Sequence, residues 1–378
     1  MAQTYSTRTY STRRRRSWPA VSIVLLIVLG GLWAGAWYYG SGVLERTIDG
    51  WKAREARAGR VYACATQTIS GFPFGIELRC TDAAAEFKSN QPPMALKAKD
   101  MLVSAHVWQP TVLTTEFSSP LTIAEPGQPV TIQASWRHAQ TKVHGLPTAP
   151  ESVSIAVEQP VVDRAAENLF KADRLDLNGR LVSGTVEANP VIQMVLKLAA
   201  ASAPSWHQAA ATPVNADITA VLRGLKDFSP KPWPTRFREL QAADGRIDIT
   251  NARVQQRDTI AVANGSLGLS PAGLLNGELR LTVANLEAFL PTLGLDQMLS
   301  QEKAPSQLNN AFGALDRIMP GLGNVARKNA APMIAASVNL MGQPAELEGK
   351  RAVMLPLRFD DGMVSLGPLK LGATPPLF

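Results

Sequence analysis

Cysteine is nearly absent from this 378-residue chain: Cys64 and Cys80 are its two thiols. Two thiols and four scattered histidines, His106, His138, His144 and His207, do not make up a metal ligand set. The wide spacing of the cysteines also excludes a Cys-x-x-Cys redox pair. Charge is scarce as well, at 18% of residues against roughly 25% in an ordinary soluble domain. With 46% apolar residues, that excludes an intrinsically disordered chain or an acidic tail protein.

Catalytic signatures are missing too. No two histidines sit four apart around a glutamate, and there is no Gly-x-Ser-x-Gly elbow or phosphate-cradling glycine loop with a lysine. Gly321-Leu322-Gly323-Asn324-Val325-Ala326 fits the spacing of a dinucleotide turn, yet Ile318-Met319-Pro320 before it closes a helical stripe instead of a strand. Asp360 and Asp361 are adjacent and read as turn chemistry, not as a facing acid/base pair. The sequence therefore assigns no catalytic residue, no cofactor and no metal. The enzymatic alternative is a hydrolase with a site assembled from distant loops.

The net charge of +7 is concentrated at the start, because Arg8, Arg13, Arg14, Arg15 and Arg16 supply five of the seven charges. The remainder is close to neutral and carries no basic footprint for nucleic acid. Residues 1–16 repeat Thr-Tyr-Ser-Thr-Arg and have nothing to bury, so they read as a disordered tail.

Residues 17–44 contain no charge, and the apolar centre at 20–39 spans about 30 Å as a helix, the thickness of a bilayer's hydrocarbon. Trp18 stands at one edge and Trp37, Tyr38 and Tyr39 at the other, where an aromatic belt belongs. Arg13 to Arg16 should stay in the cytoplasm, sending the rest of the chain outward. The alternative is a signal peptide cleaved after Ala36, since Ala34-Gly35-Ala36 fits a small-x-small site. The length of the run and the aromatics beyond Ala36 favour the anchor, and both readings export the body. Residues 45–60 continue as a helical stalk with Leu44, Ile48 and Trp51 at helical spacing. Its basic residues are a solvated face or touch anionic headgroups.

Between the cysteines, Ile69-Ser70-Gly71-Phe72-Pro73-Phe74-Gly75 forms a turn flanked by short alternating runs. Folding about Phe72 would set Cys64 opposite Cys80, Thr66 opposite Leu78 and Thr68 opposite Ile76. A disulfide is then the expected state in an oxidising compartment.

The body, 61–378, reads as antiparallel strands. Alternation begins at about Lys99 with Met101, Val103, Ala105 and Val107 and returns at Val153, Ile155 and Val157, then at Leu175 and Leu177. It returns again at Val214, Ala216, Ile218, Ala220 and Leu222, where a short helix is the other reading. A glycine followed by alternating apolar residues recurs at Gly245, Gly265, Gly277 and Gly362, each read as a turn that begins a strand, so that 244–283 is a meander. Two amphipathic helices are expected at 286–295 and 308–322, covering the sheet's apolar face or gating a groove. Strands then resume at Ile334, Ala336, Val338 and Leu340 and at Val353, Leu355, Leu357 and Phe359, closed by an Asp360-Asp361-Gly362 hairpin turn. Prolines at 204–213 and 230–234 mark a joint between two sub-parts.

Gly71-Phe72-Pro73-Phe74 followed by Cys80, together with the closing Asp361-Gly362-Met363-Val364-Ser365-Leu366-Gly367-Pro368-Leu369, resembles an uncharacterised proteobacterial family of exported proteins, domain of unknown function 2125. The meander is also similar to AsmA-type periplasmic β-groove proteins, which implies lipid transport or envelope maintenance. The expectation is a mainly β fold: a transmembrane helix, then a twisted, curved antiparallel sheet with a few amphipathic helices packed on it. Its apolar face, lined by Ile247, Ile249, Leu267, Leu269, Leu279 and Leu281, would hold a lipid or another hydrophobic ligand without catalysis. The alternative is a closed scaffold that binds an envelope protein partner.

Overall fold

The structure is a computed structural model and describes residues 18–90, 92–165, 167–206, 208–229, 231–285, 342–367 and 369–378. The arginines at 13–16, His207, the dinucleotide-like turn at 321–326, the helices expected at 286–295 and 308–322 and the strand around 334–340 lie outside these residues. The protein is mainly β, as its alternation predicts. Helix α1 (Trp18–Arg57) is followed by one antiparallel sheet and a short helix, α2 (Trp233–Ala242).

At 40 residues, α1 is about 60 Å long and outruns a bilayer. The uncharged stretch and the stalk are one continuous helix, which stops where Gly59 takes a φ of +79°, a conformation open to glycine at a helix end. Its last turns pack against the sheet edge: Trp51 stacks on Tyr62 at 4.7 Å, and Lys52 donates to Gln67.

The sheet opens with β1 (Arg60–Ala63) and β2 (Thr66–Ser70), which share β3 (Gly75–Phe87) as partner; β4 (Met94–His106) follows. Then β4 serves two branches, pairing with β5 (Gln109–Phe117) through one half and with β6 (Leu121–Ala124) through the other. The β6 branch continues through β7 (Ile132–Ser135), β10 (Val161–Arg164) and β11 (Glu167–Lys171). The β5 branch continues through β8 (His138–His144), β9 (Ser152–Glu158), β12 (Arg174–Thr185) and β13 (Ala188–Ala201). Four consecutive pairs of short strands thus run as long strands broken near Pro120, Trp136, Pro160 and Ala172. The last three breaks line up around a cavity of about 700 Å³ bordered by Trp136, Arg137, Gln159, Lys171, Asp173 and Ala200.

From β13 the sheet runs without interruption through β14 (Val214–Arg223), β15 (Arg246–Gln256), β16 (Thr259–Leu269) and β17 (Leu275–Ala284). The strand reading of 214–222 is the one realised. Next come β18 (Gln343–Leu347), β19 (Lys350–Asp360), β20 (Met363–Leu366) and β21 (Leu369–Ala373), with β17 pairing onto β19. The prolines around 204–234 flank β14 and α2, and β13, β14 and β15 stay hydrogen-bonded across that region. Leu240 of α2 packs with Ile192 and Leu225, flanked by Leu222, Phe237 and Leu269.

Two glycines correct the expected strand starts. Gly265 lies inside β16 and Gly277 inside β17, at φ of +148° and +141°. A Cβ at either would come within 2.2 Å of a carbonyl oxygen on the neighbouring strand, so glycine there permits close approach within the sheet instead of starting a strand. Gly245 and Gly362 do precede β15 and β20.

Candidate functional site

The face of the sheet is decided by register, because residues directly opposite one another on neighbouring strands project to the same side. One row crosses thirteen strands: Ile69, Leu78, Val103, Thr115, Thr141, Ile155, Leu177, Leu196, Ile218, Ala252, Ala263, Leu281 and Leu355. It contains no charge, and at roughly 4.8 Å per strand it is on the order of 60 Å long.

The row two residues further along the strands is also apolar, running through Val157, Leu175, Leu198, Ala216, Val254, Ala261, Val283 and Val353. The row on the other flank runs through Val143, Val153, Gly179, Met194, Ala220, Ile249, Gly265, Leu279 and Leu357.

The intervening positions point to the opposite face, which is mixed: it carries charge across β12 to β15 and is apolar at β16 to β19, where Ile260, Ala284 and Ala352 are buried together. Asp176, Lys197, Asp217 and Arg253 follow one another across β12 to β15 with alternating sign. Ion pairs join Arg174 to Asp176 at 2.7 Å, Lys197 to Asp217 at 3.5 Å and Arg358 to Glu278 at 2.9 Å. Their pKa shifts follow these partners. Hydrogen bonding to Asp176 raises Arg174, and hydrogen bonding from Arg137 lowers Glu158. For Asp248, burial pulls upward, but the hydrogen bonds from Arg223 and Ser266 outweigh it and the carboxyl is lowered. Every carboxylate shifted among the described residues moves down, as ion-paired surface groups do.

Burial along the apolar face is uneven. Ile155, Leu177, Leu196 and Ile218 are half-buried, whereas Leu281, Val283, Leu355 and Leu366 at the far end are buried. The six residues expected to line a groove share this face. Ile247 is 38% exposed, Ile249, Leu267 and Leu269 are half-buried, and Leu279 and Leu281 are buried. The central residues on β9, β12, β13 and β14 show alternation in the sequence, but nothing local places them in one row with the meander.

Cys64 and Cys80 form a disulfide, with Cα atoms 5.4 Å apart. The hairpin that carries it has a different register from the expected one: Gln67, not Cys64, faces Cys80, and Ile69 faces Leu78. The turn is centred beyond Phe72 because Gly75 donates to the carbonyl of Gly71, enclosing three residues. Cys64 falls in the break between β1 and β2 and reaches Cys80 from there, beside Asp82 in the left-handed region at φ +47°. A disulfide and an apolar N-terminal helix together fit a protein outside the reducing cytoplasm.

A second cluster joins that helix to the sheet. Trp33 donates its indole N–H to the carbonyl oxygen of Pro73, and Trp37 donates to that of Gly75, both at 2.8 Å. Trp37 meets Phe72 edge-on at 5.7 Å, Phe74 lies 6.0 Å from Trp108, and His106 stacks on Trp108 at 5.3 Å. A cavity of about 330 Å³ lies between Trp33, Trp37, Gly40, Ile76, Ala105 and Val107. Trp33 and Trp108 were not legible as partners; the available signal is an indole inside an apolar run and another in a charge-free turn. Trp18 begins α1, while Tyr38 and Tyr39 project outward from it. Among the described residues, no three His, Cys, Asp or Glu side chains come together as a metal site.

An apolar N-terminal helix feeding a disulfide-pinned antiparallel sheet fits a signal anchor or membrane span ahead of a β body in an oxidising compartment. The chain belongs to the family described as "Uncharacterized protein conserved in bacteria (DUF2125)", whose pattern matches residues 37–375. No curated protein and no solved structure matches the chain, so the expected similarity to AsmA-type proteins finds no support there.

Proposed function

We propose that the protein is anchored in the bacterial inner membrane by α1, with its N-terminus cytoplasmic and its body periplasmic, and that its sheet binds lipid acyl chains without catalysis. One observation carries this reading: an uncharged row thirteen strands long, half-buried over its centre, where the opposite face carries ion pairs. An acyl chain laid along that face gains about 0.8 kcal/mol per buried methylene and needs no dedicated polar partner. The orientation follows from Arg13 to Arg16 preceding the apolar run, and the disulfide suits an oxidising periplasm.

The buried end of the same face, at Val283, Leu355 and Leu366, favours a second reading, in which the face is a closed core and the protein scaffolds a partner. The two separate experimentally at neighbouring residues. Photo-crosslinking benzoylphenylalanine at Leu196, on the apolar face, and at Lys197, on the charged face, would be activated in cells producing the full chain. Phospholipid adducts at 196 and none at 197 support lipid binding. Protein adducts at 196, or no adduct there, overturn it.

A further inference from the structure

We infer that the end of the sheet beside α1 dips into the outer leaflet of the membrane, so that the apolar face begins inside the lipid. The occupant of this surface is a phospholipid leaflet. The inference rests on α1 as the membrane anchor and does not require lipid along the rest of the sheet.

Level with the membrane is set by α1 itself. Its apolar stretch runs to Tyr39 before Glu45, the next charged residue. Trp33 lies six residues short of Tyr39, about 9 Å toward the bilayer centre at 1.5 Å per residue. The hairpin 71–74 is held at that level, because Trp33 and Trp37 hydrogen-bond the carbonyls of Pro73 and Gly75. Any bilayer that surrounds the apolar part of α1 therefore meets this hairpin, at the depth typical of interfacial insertion.

The surface at that level is suited to it. Phe72 is 51% exposed, Phe74 59% and Trp108 63%, with Val107 also outward. They come from two adjacent turns, before β3 and between β4 and β5, and residues 69–76 contain no charge. Aromatic rings clustered in uncharged turns beside a spanning helix match the preference of aromatics for the headgroup boundary. Ile76 and Ala105 face each other just above and line the cavity against Trp33 and Trp37. Since Ile76 shares its side of β3 with Leu78, the thirteen-strand row starts next to this opening, and a lipid leaving the leaflet would reach it without crossing water.

The test uses the full chain reconstituted in vesicles of phosphatidylethanolamine and phosphatidylglycerol. An environment-sensitive dye is attached at Phe74→Cys, in a second variant at Trp108→Cys, and in a control at Trp206→Cys, which is exposed far from this end. The expected result is a blue-shifted dye at 74 and 108, quenched about tenfold more by nitroxides on lipid acyl chains than the dye at 206. Water-like emission and equal quenching at 74, 108 and 206 overturn the inference. Loss of the Cys64–Cys80 bridge in one variant identifies misfolding, and the other then decides. If 74 and 108 stay in water while Leu196 still captures lipid, this inference fails and the lipid-binding reading stands; the reverse result separates them the other way.

Discussion

The indole N–H of Trp37 donates to the backbone carbonyl of Gly75 at 2.8 Å, joining residues 38 positions apart. Gly75 is the first residue of β3 and is buried. Through this bond and the parallel one from Trp33 to Pro73, the apolar helix fixes the height of the first hairpin, and hence of the sheet's leading edge. Trp37→Phe keeps the ring and removes the donor. It should cost about 1 kcal/mol, read as roughly fivefold faster hydrogen exchange across residues 71–76; unchanged exchange there would show that the tether carries no weight.

The disulfide should stabilise mainly by restricting the unfolded chain, by about 3 kcal/mol for a loop of this size. Cys64→Ser and Cys80→Ser should each lower the urea midpoint of the full chain, and by the same amount as reduction of the wild type. Because Cys80 is 1% exposed, a thiol reagent should label it slowly in folded Cys64→Ser. Fast labelling would mean that the β1–β3 contact opens without the bridge.

The two ends of the apolar face should respond differently to truncation. Leu355 is 1% exposed, and Leu355→Ala should cost about 2–5 kcal/mol. Ile247 is far more exposed, and Ile247→Ala should cost under about 1 kcal/mol. Equal losses in denaturant titrations would contradict a face that is closed at β19 and open at β15.

Gly265→Ala places a Cβ against the carbonyl oxygen of Glu278 at a φ that side chains avoid. The expected loss is about 1–3 kcal/mol. Gly268→Ala, on the same strand with its nearest neighbour at 3.6 Å, is the control and should be close to neutral in thermal unfolding.

Asp227 accepts hydrogen bonds from Ser229 and Lys231, which hold its carboxyl well below the usual carboxylate range. Lys231 also reaches Glu239 of α2 at 2.7 Å, and hydrogen bonding to Glu239 and Asp227 raises its pKa. A depressed carboxyl stabilises fully above its ordinary value near 4 and loses that contribution as pH falls toward the folded pKa. The raised lysine contributes below its ordinary value near 10 and loses it only as pH climbs past that. The difference in melting temperature between wild type and Asp227→Asn should therefore be flat from about pH 5 to 9 and shrink below about pH 4. A difference that fades near neutrality would assign it to another group.

Several features were determined by local sequence alone. The uncharged run from Trp18 to Leu44 and the basic stalk behind it make one helix, because intrahelical bonding is satisfied within the segment. Alternation at 153–157 and 353–359 makes strands, since period two is a property of neighbouring residues. The cysteine bridge was legible from the turn between the two residues, although its register was not: the position of the turn depends on the Gly71–Gly75 bond and not on symmetry about Phe72. Gly265 and Gly277 looked like strand starts because glycine favours turns, whereas inside a sheet it permits close approach of neighbouring strands.

The tertiary structure alone decided which residues meet. Ile155, Leu177, Leu196 and Ile218 are each unremarkable in their own strands, and they become one apolar row through cross-strand pairing over more than sixty residues of chain. The same holds for Trp33 and Trp37 against the hairpin, which a helix pattern and a turn pattern cannot place together. Side-chain direction is written every two or four residues along the chain, but the partner across a hydrogen-bonded ladder is set by the pairing of whole strands, and that is a property of the folded sheet.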